Sequence, residues 1–129
     1  KTKAKGRKIE KRTVLVFHDS DTLAIQKRPD KGLLAGLYEL PNLEGWLSQQ
    51  EVIEYSKSIG LSPIRIKKLP AAKHIFSHVE WQMKGYEVIV DELERELDQK
   101  IWSEQVIFAE KEELEKKYPM PSAFAAYQL

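Results

Sequence analysis

The alternation of apolar and polar side chains along the chain predicts most of its strands. Residues 13–17 are β-branched or apolar on both faces, which is typical of a central strand covered on both sides. Residues 64–69 and 79–83 alternate with period two, as half-buried strands do, and Pro70 is expected to end the first of them. Further strands are predicted at residues 23–27, 37–40, 86–90 and 106–108.

The alternation changes parity near Gly85. Apolar side chains occupy the odd positions of 79–83 before this glycine and the even positions of 86–90 after it. One extra residue in a β-bulge would return all of them to a common buried face, and glycine is the usual occupant of a bulge. A bulge is therefore predicted around Lys84 and Gly85.

One principal helix is predicted over about residues 48–60. Ser48 and Glu51 have the spacing of a capping box, the apolar residues that follow lie roughly on one stripe, and a glycine ends the segment. A short polar helix is expected at 110–117 and a capping segment at 119–126. This order of elements predicts an α+β fold, in which one principal helix packs on a face of a mixed β-sheet and short helices follow at the C-terminus.

Length and composition favour one globular domain. The chain has 129 residues, and no stretch is apolar for long enough to span a bilayer, so no membrane partner is expected. No signal peptide is visible. Because there are no cysteines, this chain holds no disulfide, no thiolate nucleophile and no cysteine-ligated zinc or iron–sulfur site.

Charge is divided unevenly, although the formal net charge is only +1. Residues 1–12 carry seven cations and one carboxylate, whereas residues 91–115 carry ten carboxylates and three cations. A basic terminus often contacts nucleic acid, so 1–12 either binds phosphates or only links domains. Residues 1–8 are predicted to be a basic linker and 9–129 the domain. The partners of the acidic segment stay open.

The stretch Phe76-Ser77-His78 falls between two predicted strands and is expected at a turn. Turns carried by a rigid sheet are a usual place for recognition residues. Two interpretations remain open: the turn binds a ligand, or Phe76 and His78 cap the core while Ser77 satisfies the turn. The strand before it is expected to bury its apolar face and expose its basic one. The candidate binding residues are Phe76, Ser77, His78, Lys73, Lys67 and Lys68.

Two groups containing histidine resemble metal ligands, and neither is predicted to bind a metal. His18 stands beside Asp19 and Asp21, but turn chemistry accounts for all three residues. His74 and His78 would lie roughly 13 Å apart on an extended chain, which is too far to share one ion.

Three motifs together resemble a known family. Residues 28–41, from Arg28-Pro29 through Gly32-Leu-Leu-Ala-Gly36 to Pro41, resemble the signature that opens the C-terminal domain of the A/G-specific adenine DNA glycosylases, the MutY family. Phe76-Ser77-His78 is similar to that family's lesion-recognition loop, and residues 119–124 to its C-terminal end. The resemblance covers about residues 9–127, with the motifs in the family's order.

The resemblance implies a Nudix-like fold and a function in base excision repair. The chain would recognise 8-oxoguanine opposite adenine in double-stranded DNA, while an N-terminal domain of the same protein hydrolyses the adenine N-glycosidic bond and holds a [4Fe-4S] cluster. This fragment is expected to carry no catalytic residue, metal or cofactor of its own. A monomeric bacterial protein of the cytoplasm or nucleoid is expected.

A true Nudix hydrolase, acting on oxidised nucleotides, is the alternative within the same fold. Its metal-binding box follows the pattern R-E-U-x-E-E-x-G-U, with U apolar. Aligning the last glycine on Gly60 puts Ile53 at the arginine, Glu54 at the first glutamate, and Lys57 and Ser58 at the paired glutamates. Hard divalent cations need several oxygen ligands, so magnesium is not expected to bind here.

The chemistry of the lesion assigns distinct roles within the loop that the resemblance singles out. 8-Oxoguanine has an N7–H donor and an O8 acceptor that guanine lacks, and the hydroxyl of Ser77 can both accept and donate. Phe76 would wedge beside the base, and His78 would donate to a base edge or a phosphate. Phosphate contacts are expected from the lysines that flank the turn, Lys67, Lys68 and Lys73.

Overall fold

A computed structural model describes residues 7–91, 106–118 and 120–127 of the chain. Its strands are β1 (Lys8–His18), β2 (Thr22–Lys27), β3 (Tyr38–Glu39), β4 (Asn42–Glu44), β5 (Pro63–Ile75), β6 (Val79–Val90) and β7 (Val106–Glu110). Its helices are α1 (Gln49–Ser58) and α2 (Leu114–Lys117), with 3-10 segments at Lys111–Glu113 and Ser122–Tyr127. Most of the acidic segment predicted at 91–115, and the first half of the basic run at 1–12, lie outside the described residues.

These strands form one mixed sheet. The strand order is β3-β2-β1-β6-β5, with β4 also paired to β1 and β7 to β2. β1 runs parallel to β6, and the other described pairings are antiparallel. Residues 13–17 of the central β1 are fully buried, as the sequence predicts. The predicted α+β fold with one principal helix is confirmed.

Apolar side chains on the two faces of the sheet form separate cores. One core lies against α1 and includes Leu15, Val52 and Tyr86. The other lies under the C-terminal 3-10 segment and includes Trp81 and Phe124. The sheet is therefore covered on both faces, but by different elements.

A bulge lies at the predicted place, but its extra residue is in β5, where Pro70 and Ala71 stand opposite Lys84, and not in β6 as predicted. β6 pairs with β1 over residues 79–89 without a register shift. The parity changes because the two halves of β6 contribute to opposite cores, with Trp81 in one and Tyr86 in the other. A strand that is buried on one face and then on the other shows the same pattern as a bulge.

β5 continues through Pro70, contrary to the prediction that the proline ends it. The register with β6 shifts between Leu69 and Ala72, so the proline lies in a bulge of β5. β5 is also at an edge of the described sheet, where the missing N–H costs least. The expected burial of its apolar face holds only in part, since Ile64 is 66% exposed.

The predicted capping box begins α1. The N–H of Glu51 donates to Ser48 Oγ at 3.2 Å, and the N–H of Ser48 donates to Glu51 Oε1 at 2.8 Å. Val52 and Ser56 are the buried residues of the helix. Gly60 has φ of 91°, a left-handed conformation that ends helices and that glycine adopts without strain.

The segment between β2 and α1 contains an ordered loop and a strand, β4, that was not predicted. Arg28 Nε donates to the Leu33 carbonyl and the Gly36 N–H to the Pro29 carbonyl, each at 2.9 Å. β4 pairs antiparallel with β1. Three residues are too few to show an alternation, so the sequence carried no signal for β4.

Candidate functional site

Phe76, Ser77 and His78 form the turn between β5 and β6, where the sequence predicts one. The N–H of Phe76 donates to the Val79 carbonyl at 2.7 Å, which closes a hairpin with Ser77 and His78 at its tip. Both tip side chains are exposed. Within the described residues neither of them forms a side-chain hydrogen bond, so both are available to a ligand.

Phe76 is half-buried and belongs to an aromatic cluster below the tip. Its ring meets His74 edge-on, with centroids 4.7 Å apart, and meets Trp81 edge-on at 5.1 Å. Trp81 in turn lies 5.9 Å from Phe124 in the core. Phe76 therefore caps the core, while Ser77 and His78 project beyond it. The core-capping interpretation therefore holds for Phe76 and not for the exposed His78, and ligand binding by the turn stays a prediction.

The start of β1 is attached to this turn. The N–H of Lys8 donates to the His78 carbonyl at 3.0 Å, and Arg7 Nη2 lies 3.2 Å from Glu80 Oε1. Hydrogen bonds from Gln82 and Arg7, together with the charge of Lys73, hold the pKa of Glu80 below its usual value, against the opposing effect of burial. Part of the basic N-terminal run thus lies beside the candidate loop.

The three lysines predicted as phosphate contacts are not grouped in the structure. Lys73 lies three residues before Phe76 and opposite Gln82 on β6. Lys67 and Lys68 lie eight or nine residues before Phe76, roughly 25 Å along the strand, and as neighbours they face opposite sides of the sheet. Only Lys73 is near the turn, and the binding role of all three stays a prediction.

Trp81, which is 1% exposed, supports the turn from within the core. Its indole N–H donates to Glu10 Oε1 at 3.1 Å, and the guanidinium groups of Arg12 and Arg28 each lie 5.4 Å from its ring centroid. Arg28 also forms an ion pair with the buried Glu39 at 2.7 Å. The sequence did not predict these contacts of Trp81, because they join residues from separate parts of the chain.

The positions that would form a Nudix metal site do not fit magnesium. Glu54 accepts a hydrogen bond from Gln50 Nε2 at 3.3 Å on the exposed side of α1. Lys57 is exposed, and Ser58 Oγ donates to the Tyr55 carbonyl at 2.6 Å. One carboxylate beside an ammonium lacks the oxygen ligands that a hard divalent cation requires.

His18 and Asp19 are engaged in local contacts. Asp19 Oδ1 accepts from the N–H and the hydroxyl of Thr22 at 2.8 and 2.7 Å, as expected for turn chemistry, and His18 Nε2 lies 2.7 Å from Glu87 Oε2. Among the described residues, no group of three or more metal-ligating side chains is close enough to hold an ion. No described helix combines the length and apolar character needed to cross a membrane.

Comparison with known proteins assigns the chain to a family. Residues 12–127 match the family model described as the NUDIX domain. This match covers most of the sequence, so the chain belongs to the NUDIX domain family.

Within that family, the MutY-like character predicted from the three motifs is confirmed. Over 72 residues the chain is 36% identical to an adenine DNA glycosylase of Mus musculus. That match covers 51% of this chain but only 14% of the mouse protein. The chain therefore spans a small part of that relative's length.

Solved structures confirm the fold. The C-terminal domain of mouse MUTYH, crystallised with human PCNA, has a TM-score of 0.65 at 23% identity, with 92% of this chain and 86% of that chain covered. A MutT NUDIX hydrolase from Burkholderia pseudomallei also has a TM-score of 0.65, at 18% identity, with 95% and 98% covered. Fold similarity is equal for a glycosylase domain and a hydrolase, so the choice between them rests on residues.

Proposed function

We propose that this chain is the lesion-recognition domain of an adenine DNA glycosylase and that it recognises 8-oxoguanine opposite adenine in duplex DNA. The observation that carries the proposal is the exposed Ser77–His78 tip, supported on Phe76 and Trp81, in the motif that the MutY family uses for recognition. The catalytic domain, its [4Fe-4S] cluster and a place in the bacterial cytoplasm or nucleoid belong to the same proposal.

Ser77 supplies the hydrogen-bonding groups that distinguish the lesion. Its hydroxyl can accept from the N7–H of 8-oxoguanine and donate toward O8, and guanine offers neither partner at those positions. A complementary hydrogen-bonded pair is worth about 1–3 kcal/mol of discrimination between bases. The exposure of Ser77 is compatible with this role, because no described side chain competes for the hydroxyl.

The residues around Ser77 have two other roles. Some hold the tip in position, and others add affinity for DNA that does not depend on the base. The ring of Phe76 holds the tip on the core and also offers its exposed part as a wedge beside the base. His78 can donate to a base edge or to a phosphate. Lys73 adds positive charge near the tip, which favours DNA without selecting a base, whereas Arg7 and Lys8 are ion-paired with Glu80 and Glu10.

The alternative function, hydrolysis of oxidised nucleotides, is less well supported. Ile53, Lys57 and Ser58 stand where the Nudix box needs an arginine and paired glutamates. Without them, Glu54 alone cannot hold magnesium at a diphosphate. The glycosylase proposal needs no metal in this domain.

A low-salt titration tests the proposed function. The 129-residue chain is titrated against two labelled duplexes that differ only in 8-oxoguanine or guanine opposite adenine. We expect tighter binding to the lesion duplex and no release of pyrophosphate from 8-oxo-dGTP in magnesium. Equal binding to both duplexes, together with nucleotide turnover that stops on adding a chelator, would favour the hydrolase instead.

A further inference from the structure

Trp46 lies on the sheet surface with two lysines over its ring. Its indole N–H donates to the Gln82 carbonyl at 2.9 Å, which fixes the ring, and 41% of the residue stays exposed. Lys11 Nζ and Lys84 Nζ each lie 4.7 Å from the ring centroid. Such cation–π contacts hold two flexible side chains in place before any ligand arrives.

The sheet register adds a third lysine to this surface. Lys11 on β1, Gln82 on β6 and Lys73 on β5 are paired across three neighbouring strands, and paired residues share a face. Lys84 lies two residues further along β6 on the same face. We call these five residues the Trp46 patch: Lys11, Trp46, Lys73, Gln82 and Lys84.

The patch is positively charged because it holds three lysines. In the part of the chain that the structure describes, no ion pair engages Lys11, Lys73 or Lys84. Glu80 accepts hydrogen bonds from Arg7 and Gln82, and the charge of Lys73 helps to lower the pKa of that carboxyl. A surface with three cations and a fixed aromatic ring favours an anionic partner.

We propose that the Trp46 patch binds backbone phosphates of the DNA duplex whose lesion is recognised at the Ser77–His78 tip. The inference rests on the proposed function and extends it. Gln82 lies four residues from His78, roughly 13 Å along β6, which corresponds to a few base pairs of duplex axis. Lysine ammonium groups bind phosphates as point charges and carry no sequence information, so the patch supplies affinity and register.

The test compares two double variants with equal loss of charge in the 129-residue chain. Lys11→Gln/Lys84→Gln removes both cations over Trp46. Lys27→Gln/Lys116→Gln removes two exposed lysines outside the patch, one on β2 and one on α2. The probe is an undamaged fluorescent duplex of about 20 base pairs, titrated at several salt concentrations, and the thermal unfolding midpoint of each variant is measured.

We expect the patch variant to bind several-fold more weakly and its log–log salt slope to fall by about 1.8, or about 0.9 for each phosphate that the protein no longer neutralises. The control should keep the slope of the unmodified chain. The inference is overturned if the two variants show an equal fall in slope, or if the unmodified chain does not bind the duplex. The preference for 8-oxoguanine is measured separately, in the titration described under the proposed function. If the unmodified chain binds the 8-oxoguanine and guanine duplexes equally while the two double variants still differ in salt slope, only the lesion proposal is rejected.

Discussion

At the scale of single residues, Glu80 connects the candidate loop to its surroundings. It follows the turn on β6, accepts hydrogen bonds from Arg7 and Gln82, and lies near Lys73. These partners favour the charged carboxylate, so the pKa of Glu80 is lower in the folded chain than in the unfolded one. Folding therefore gains from this group above the unfolded pKa, and the gain disappears as pH falls through the lower folded value.

Glu80→Gln should remove this part of the pH dependence. The free energy of unfolding, measured by urea denaturation between about pH 6 and pH 3, should fall less steeply with acid in the variant, because the unfolded carboxyl titrates near pH 4.3. Glu44→Gln, at an exposed position on β4, serves as the control. Identical acid sensitivity in Glu80→Gln and the unmodified chain would contradict the account of this cluster.

The sequence predicted the exposed residues of the site better than the supporting ones. Ser77 and His78 could be placed in a turn because strands were predictable on both sides. The contact of Phe76 with Trp81 could not be predicted, and neither could the position of Trp46 over Gln82, since both join residues from different elements. These contacts depend on which strands pair across the sheet, and the order of apolar and polar residues along the chain does not show that pairing.

At the scale of elements, Gly85 and Tyr127 hold the C-terminal segment on the sheet. A Cβ on Gly85 would collide with the Tyr127 ring, so the glycine leaves room for that ring. The Tyr127 hydroxyl donates to the Pro70 carbonyl at 2.8 Å, inside the β5 bulge. Burial raises the pKa of Tyr127 to about 12, so the hydroxyl keeps its proton; its contribution to stability is fully present below the unfolded pKa and is lost as pH rises from there through the folded value.

Gly85→Ala should destabilise the chain by about 1–3 kcal/mol through overpacking, and Tyr127→Phe by about 1 kcal/mol because its hydrogen bond is removed. Thermal and urea unfolding measure both changes. In a Tyr127→Ala background the added methyl of Gly85→Ala meets no ring and should cost much less. An equal cost of Gly85→Ala in both backgrounds would show that the ring is not the reason for the glycine.

Element prediction succeeded where the signal was local. The capping box of Ser48 and Glu51 and the apolar run at 13–17 depend on neighbouring residues, and the structure has both. Pro70 and Gly85 were misassigned because their roles depend on a neighbouring strand and on Tyr127. The short β4 is defined by its pairing with β1, and its three residues show no alternation of apolar and polar side chains that would predict a strand.

At the scale of the whole molecule, the two cores leave the Ser77–His78 turn of the β5–β6 hairpin exposed. The α1 core and the core under the C-terminal segment hold the strands from opposite faces. The start of β1 and the Trp46 patch add cations near that hairpin. In the proposed function, this arrangement presents a short polar turn to duplex DNA, whereas the residues at the Nudix-box positions do not fit a metal site.

The most direct test measures lesion preference in the chain joined to, or co-expressed with, a catalytic domain. Ser77→Ala should lower the preference for 8-oxoguanine over guanine opposite adenine by about 2- to 10-fold, with an unchanged unfolding midpoint, because backbone groups keep part of the contact. Ser20→Ala, in the turn between β1 and β2, is the control.

Phe76→Ala should instead weaken binding to both duplexes and lower the midpoint. If Phe76→Ala/Ser77→Ala lowered the midpoint but left the preference intact, the turn would be only a cap on the core, and the proposed recognition function would be wrong.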